Sequence, residues 1–142
     1  MDKEGIKKLI PHRNSMLLLD EVENIDGVAN GKLYIKGDEW FLDGHFPGSP
    51  VVPGVVLLEI LAQSSCILLD GKLKENEVPV YAGIDKARFK SPVTPGHTFE
   101  TKCKLTRVRH PFYFAEGEGY VNGKLAVTAQ ISFAIQDSSI LH

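Results

Sequence analysis

The chain is short of several things, and each shortage excludes a class of function. Its 142 residues hold two cysteines. Cys66 falls in an apolar stretch and Cys103 in a strand pattern, so both read as reduced thiols of a cytoplasmic protein rather than as a disulfide framework. Positive charge is not in excess: the formal net charge is −2. That argues against nonspecific nucleic-acid binding, which needs a basic field. No apolar run reaches the roughly 20 residues of a membrane span, and no membrane partner is expected. Residues 1–10 lack the apolar core of a signal peptide. With no repeat, low-complexity tract or linker, residues 1–142 read as one domain, long enough to bury a real core. The four internal histidines (His12, His45, His97 and His110) show no closely spaced ligand pair of the His-x-x-x-His kind, so no metal site is expected.

What is present centres on residues 44–69, GHFPGSPVVPGVVLLEILAQSSCILL. From residue 55 to residue 69, eleven of fifteen positions are apolar. A helix hydrophobic on nearly all sides belongs in a core. Pro50-Val51-Val52-Pro53-Gly54 cannot continue it backwards, so it starts near 53–55. Asp70-Gly71 ends it, with Gly71 as the residue beyond the cap. Glu59 is the one charge in this run. Buried alone, a carboxyl stays protonated with a raised pKa; otherwise a partner must satisfy it. Gln63 lies one turn on, flanked by Ala62 and Cys66, which makes a narrow polar and small-residue stripe suited to a cavity.

The loop before the helix places His45 among Gly44, Phe46, Pro47 and Gly48. It sits just ahead of a helix N-terminus, whose free N–H groups favour developing negative charge. A base, an acid and a set of N–H donors are the equipment for proton abstraction beside a carbonyl.

Elsewhere the chain reads as strands. Residues 3–9 form a short helix that Pro11 stops. Strands are expected at 16–25, 32–36, 78–89, 98–108, 112–121 and 125–135. Asp26-Gly27, Asn30-Gly31 and Asn122-Gly123 are turn signals, the last being the strongest hairpin signal. Gly83 marks a bulge. His12 and Arg13 read as a loop bonded to the scaffold, Trp40-Phe41-Leu42 as an apolar cluster over the helix start, and residues 137–142 as frayed. A flat sheet cannot bury a helix on nearly all sides, so the fold class expected is α+β, an antiparallel sheet curled around one long central helix. Such a sheet leaves edges, which pairing as a dimer would cover.

Gly44-His45-Phe46-Pro47, Pro50-Val51-Val52-Pro53-Gly54-Val55 and then Glu59, Ala62 and Gln63 resemble the signature of the 3-hydroxyacyl-[acyl-carrier-protein] dehydratases of the FabZ type. Pro11-His12-Arg13 with Met16-Leu17-Leu18-Leu19-Asp20, and Phe89-Lys90-Ser91-Pro92-Val93-Thr94-Pro95-Gly96, resemble further motifs of that family. The match runs over about residues 9–135 in the family's order. Asn14-Ser15 departs from it, where an aromatic residue and a proline are usual, and this bears on the packing of that loop. Glu59, where the FabA type has Asp, favours FabZ.

The resemblance implies a hotdog fold and the dehydration of a (3R)-3-hydroxyacyl chain carried on acyl carrier protein to a trans-2-enoyl chain, with no cofactor. It implies His45 as general base at C2 and Glu59 as general acid at the 3-hydroxyl. Gly54 and Val55 would bind the thioester carbonyl through their N–H groups, with Gln63 and Phe46 in support. It further implies a homodimer with shared sites and a hexamer built as a trimer of dimers. Lys86, Arg88 and Lys90, with Arg107 and Arg109, offer a basic patch to an acidic carrier. Val55, Leu58, Ile84, Phe89 and Phe133 are candidate tunnel residues. A hotdog acyl thioesterase, a dehydratase that also isomerises, and a non-catalytic acyl-binding module are the alternatives.

Overall fold

A computed structural model describes residues 1–44 and 48–141. The long helix, α2, runs over Gly54–Cys66 and continues as a 3-10 turn, Ile67–Leu69. Ten of the thirteen α2 residues are buried. A short α1, Lys3–Ile6, precedes it, capped by the Asp2 carboxylate accepting from Gly5 N–H at 3.0 Å. Six strands follow one another as β1 Glu21–Ile25, β2 Val28–Tyr34, β3 Glu77–Phe89, β4 Thr98–Arg109, β5 Phe112–Val121 and β6 Lys124–Asp137. They form one antiparallel sheet in the order β1-β2-β4-β5-β6-β3. The sheet wraps α2, with β1 and β3 as open edges. This is the α+β hotdog architecture expected. Among the described residues no helix is long and apolar enough to cross a membrane.

The core follows from alternation. Val127, Ala129, Ile131 and Phe133 of β6 turn inward, as do Phe99, Thr101 and Cys103 of β4, and they pack with Ile60 and Leu61 of α2, while Ile135 joins Leu69 and Tyr113 in a second, smaller cluster. Each such aliphatic side chain contributes about 1.5–3 kcal/mol of burial. Both thiols are free, buried and pushed up to about 12 by burial. Asn122-Gly123 and Asp26-Gly27 make the expected tight turns, with left-handed backbone at both residues of each.

Four expectations need correction. Asn30-Gly31 is no turn; both residues lie inside β2. Gly31 is there because α2 presses on it: a Cβ would sit 2.6 Å from Ser64 Oγ and from Thr101 Oγ1. The first strand starts at Glu21, not at residue 16, because Asn14–Met16 is a 3-10 turn. The backbone groups of Met16 and Leu18 bond instead to the Gln63 side chain. Third, residues 137–141, expected to lack regular structure, take a defined local conformation. The Asp137 carboxylate accepts from Ser139 N–H and from Asn76 Nδ2, both at 2.8 Å, and Ser138–Leu141 forms a 3-10 turn. The fourth concerns the basic patch of Lys86, Arg88 and Lys90, whose spacing of two would put all three on one face of a regular strand. β3 is bulged twice, at Tyr81/Gly83 as expected from Gly83, and again between Asp85 and Arg88. Lys86 sits in the second bulge with φ of 51°, so the strand's alternation is broken there.

Candidate active site

Glu59 projects from the middle of α2 into a cleft of about 270 Å³ lined by Pro11, His12, Ala62, Gln63, Cys66, Pro79, Val80, Tyr81 and Phe133. The stripe read from helical spacing is therefore one wall of a cavity. The carboxylate is not unpaired. Gln63 Nε2 donates to Oε2 at 2.9 Å, His12 Nε2 lies 3.1 Å from Oε2, and the Tyr81 hydroxyl donates to Oε1 at 3.0 Å. Of the two readings left open by the sequence, an unpaired carboxyl protonated by burial and one satisfied by partners, these contacts fit the second. Burial alone pushes the carboxyl up, but the His12, Gln63 and Tyr81 hydrogen bonds and the charge on His12 outweigh it, and the carboxyl lies below its ordinary range. Burial and the adjacent carboxylate push the Tyr81 phenol far up, so it remains a donor.

Each partner is held by local structure. Gln63 is 2% exposed. Its Oε1 accepts from Leu18 N–H at 2.9 Å and its Nε2 also donates to the Met16 carbonyl at 2.8 Å. The loop with the Asn14-Ser15 departure thus packs by clamping Gln63, and the Ser15 carbonyl accepts from Trp40 Nε1 at 2.9 Å. Arg13 behaves as the scaffold residue expected: its guanidinium donates to the carbonyls of Lys7, Ile10 and His12. His12 does more than that, because its ring turns inward to Glu59. Its Nδ1 is buried without a hydrogen-bond partner among the described residues.

His12 and Tyr81 are the site residues that sequence reasoning missed. Tyr81 left one signal: a phenol within Val78-Pro79-Val80-Tyr81, a strand otherwise apolar at its start, needs a partner when half-buried. His12 left none that distinguished it from its bonded neighbour Arg13.

The other predicted groups lie elsewhere. Gly54 and Val55 open on a second cleft of about 690 Å³, shared with Val52, Pro53, Phe89, Lys90 and Val93. Val56 and Leu57 both donate to the Pro53 carbonyl. The N–H groups of Gly54 and Val55 are the first-turn donors that intrahelical bonding leaves over. A Cβ on Gly54 would lie 2.7 Å from the Phe89 ring, so glycine is what allows this approach. Five residues separate Gly54 from Glu59, about 7.5 Å along the axis and about 140° around it. One chain therefore does not bring the two clefts together. His45 and Phe46 lie outside the described residues. Of the tunnel candidates, Phe133 lines the Glu59 cleft, Val55 and Phe89 line the second, Leu58 is core, and Ile84 is exposed and lines neither. Lys86, Arg88 and Lys90 are all exposed, and only Lys90 reaches the second cleft. Arg107 is spent on the Phe114 ring, 4.3 Å from its centroid.

Residues 10–130 match the model of the FabA-like domain. The 3-hydroxyacyl-[acyl-carrier-protein] dehydratase FabZ of Staphylococcus carnosus is 40% identical over 139 residues, 96% of each chain. That of Macrococcus caseolyticus is 42% identical over 136 residues, 93% of each. Among solved structures, the dehydratase heterocomplex ApeI:P from Xenorhabdus doucetiae superposes with a TM-score of 0.79 at 20% identity, covering 96% of this chain and 93% of that one. A thioesterase superfamily member of Thermus thermophilus gives 0.69 at 15% identity, covering 84% and 88%. At such identities these structures show the fold alone.

Proposed function

The chain belongs to the FabA-like family, and we propose that within it the protein is a hydro-lyase of the FabZ type, converting (3R)-3-hydroxyacyl-[acyl-carrier-protein] to the trans-2-enoyl thioester in fatty acid biosynthesis. One observation carries this reading: relatives named for that enzyme match 93–96% of the chain at 36–42% identity. The thioesterase alternative has only fold likeness behind it.

In the proposed mechanism His45 removes the C2 proton. The thioester carbonyl accepts hydrogen bonds from Gly54 and Val55 N–H, which stabilise the enolate-like charge. Glu59 gives a proton to the 3-hydroxyl as water departs. The His12, Gln63 and Tyr81 contacts favour the ionised carboxyl, so Glu59 takes up a proton from solvent as substrate enters, and substrate must tip that balance. An acyl chain that excludes water from the cleft strengthens the upward push of burial, and displacing a donor removes a downward one. Gln63 keeps the carboxylate oriented.

Separation of the Glu59 cleft from the Gly54–Val55 cleft on one chain supports a homodimer with sites made from both copies, in which His45 of one copy faces Glu59 of the other. The open edge of β3, with Tyr81, Ile84 and Phe89 exposed on it, supports pairing there. A hexamer of three such dimers is the assembly proposed. Two buried reduced thiols suit a cytoplasmic enzyme. Lys90, at the rim of the second cleft, is the best placed of the three predicted cations to meet an acidic carrier.

The test is to incubate the protein with 3-hydroxyacyl and saturated acyl thioesters while following enoyl absorbance and free thiol. Enoyl formation from the former, lost in His45→Ala, is expected. Thiol release from the saturated substrate would instead make the protein a thioesterase.

A further inference from the structure

The two oxygens of Glu59 are not equivalent. Oε2 is held by Gln63 at 2.9 Å and by His12 at 3.1 Å. Gln63 cannot leave, because its amide is also bonded to Leu18 N–H and the Met16 carbonyl and is shut off from solvent. Oε1 has one donor, the Tyr81 hydroxyl at 3.0 Å. Tyr81 is of a different kind from Gln63. It lies on the edge strand where the proposed dimer pairs, so what sets it apart is not its exposure in one chain but that its side chain makes a single hydrogen bond among the described residues, to Glu59. The bulge that follows it, between Tyr81 and Gly83, loosens β3 from β6 at that point. Its ring stacks on Phe133, with centroids 6.1 Å apart. Turning the side chain away therefore gives up one stacking contact and one hydrogen bond, and no ladder bond.

We propose that Tyr81 is a displaceable cap on Glu59 Oε1, occupying the seat that the 3-hydroxyl of the substrate takes. The inference rests on the dehydratase reading and goes beyond it, by naming which oxygen receives the substrate and which residue must yield it. The exchange reverses the hydrogen bond: the Tyr81 O–H donor leaves Oε1 and its lowering effect on the carboxyl goes with it, and the carboxyl, having taken a proton from solvent, donates from Oε1 to the 3-hydroxyl oxygen. Oε2 stays fixed throughout, so the carboxyl plane does not turn. Tyr81 is a positioning residue here, with no proton of its own passed to substrate. The titratable groups facing Glu59 are His12 from the N-terminal segment, Tyr81 from β3 and Cys66 from α2 itself.

The cap competes with the substrate hydroxyl and with nothing else. Tyr81→Phe keeps the ring on Phe133 and removes the competitor. Two ligands separate the effects: the amide analogue of a 3-hydroxyacyl pantetheine and its 3-deoxy counterpart. By calorimetry, Tyr81→Phe should bind the hydroxylated ligand about two- to tenfold tighter, the worth of one hydrogen bond, and the deoxy ligand as the unaltered protein does. In turnover, kcat/KM should rise through a lower KM. Tyr81→Leu, which also gives up the stacking, should show the same preference for the hydroxylated ligand over the deoxy one. An unchanged ratio of the two affinities in both variants overturns the cap. So does a fall in kcat on the order of a hundredfold in Tyr81→Phe, which is the scale of a lost general acid. If the unaltered protein forms no enoyl product, the dehydratase reading is what has failed. The cap is then decided by a carbon-13 titration of the Glu59 carboxyl, which must move upward in Tyr81→Phe and refutes the cap if it stays put.

Discussion

Helix α2 carries two polar clusters, and they are built to opposite ends. Ser64 faces the sheet, its hydroxyl 2.7 Å from that of Thr101, which accepts from Gly31 N–H at 2.9 Å. All three residues are buried. Every group there is neutral, each hydroxyl has a partner, and nothing remains to meet a ligand. Glu59 begins the other cluster one turn earlier on another face. It is charged, lines a cavity, and gives one of its oxygens to an exposed tyrosine. A closed neutral network fixes the register of sheet on helix. A carboxylate with one displaceable partner can do chemistry.

The hardest test of that contrast is Glu59→Gln. It keeps the side chain's size and removes the acid. We expect kcat to fall by about 10²–10⁴-fold while circular dichroism and the melting transition stay near those of the unaltered protein. Retained enoyl formation would place Glu59 with the structural cluster.

Thr101→Val probes the other side. It strands Gly31 N–H and the Ser64 hydroxyl, at a cost of about 1–3 kcal/mol in urea unfolding. The loss should be the same at every pH, since no group in that cluster titrates, and kcat should not follow it. A pH-dependent loss would show that the two clusters are coupled through the helix.

His12→Ala should give the pH dependence that Thr101→Val lacks. The folded-state pKa of Glu59 lies below its ordinary value of 4.5. Its contribution to stability is therefore complete above that value and is lost as pH falls through the lower, folded one. Removing His12 takes away a donor and moves the folded value back up. The variant should be less stable by about 1.5–3 kcal/mol near neutral pH, and the two unfolding curves should converge in acid as Glu59 is protonated in both. A gap that persists in acid would mean that His12 acts by packing alone.

Legibility in the sequence follows the same division. Strands β4 to β6 and the central helix were readable because alternation and apolar continuity are repeated over many residues, and Asn122-Gly123 has one favoured geometry. Asn30-Gly31 was misread, because a glycine required by close helix approach looks in sequence like a glycine required by a turn. The start of β1 was misplaced because Gln63, more than forty positions away, takes the backbone bonds that a strand would use. Glu59 was legible as the one charge in an apolar helix. Its ionisation was not, since three donors come from three separate segments and only the fold brings them together.

The smallest expected effect concerns how substrate reaches the open cluster. Lys90 sits on the rim of the cleft holding Gly54 and Val55, while the bulge at Lys86 breaks the register with its neighbours. The three cations should therefore contribute unequally. Lys90→Glu should lower kcat/KM for a carrier-protein substrate by about three- to tenfold at low salt, and less as salt screens it. It should leave a pantetheine substrate without the carrier unaffected, because the loss lies in docking rather than in chemistry. Lys86→Glu should act more weakly in the same assay. Equal losses from both would point to a diffuse field around β3, and loss with the pantetheine substrate would place Lys90 against the thioester arm itself.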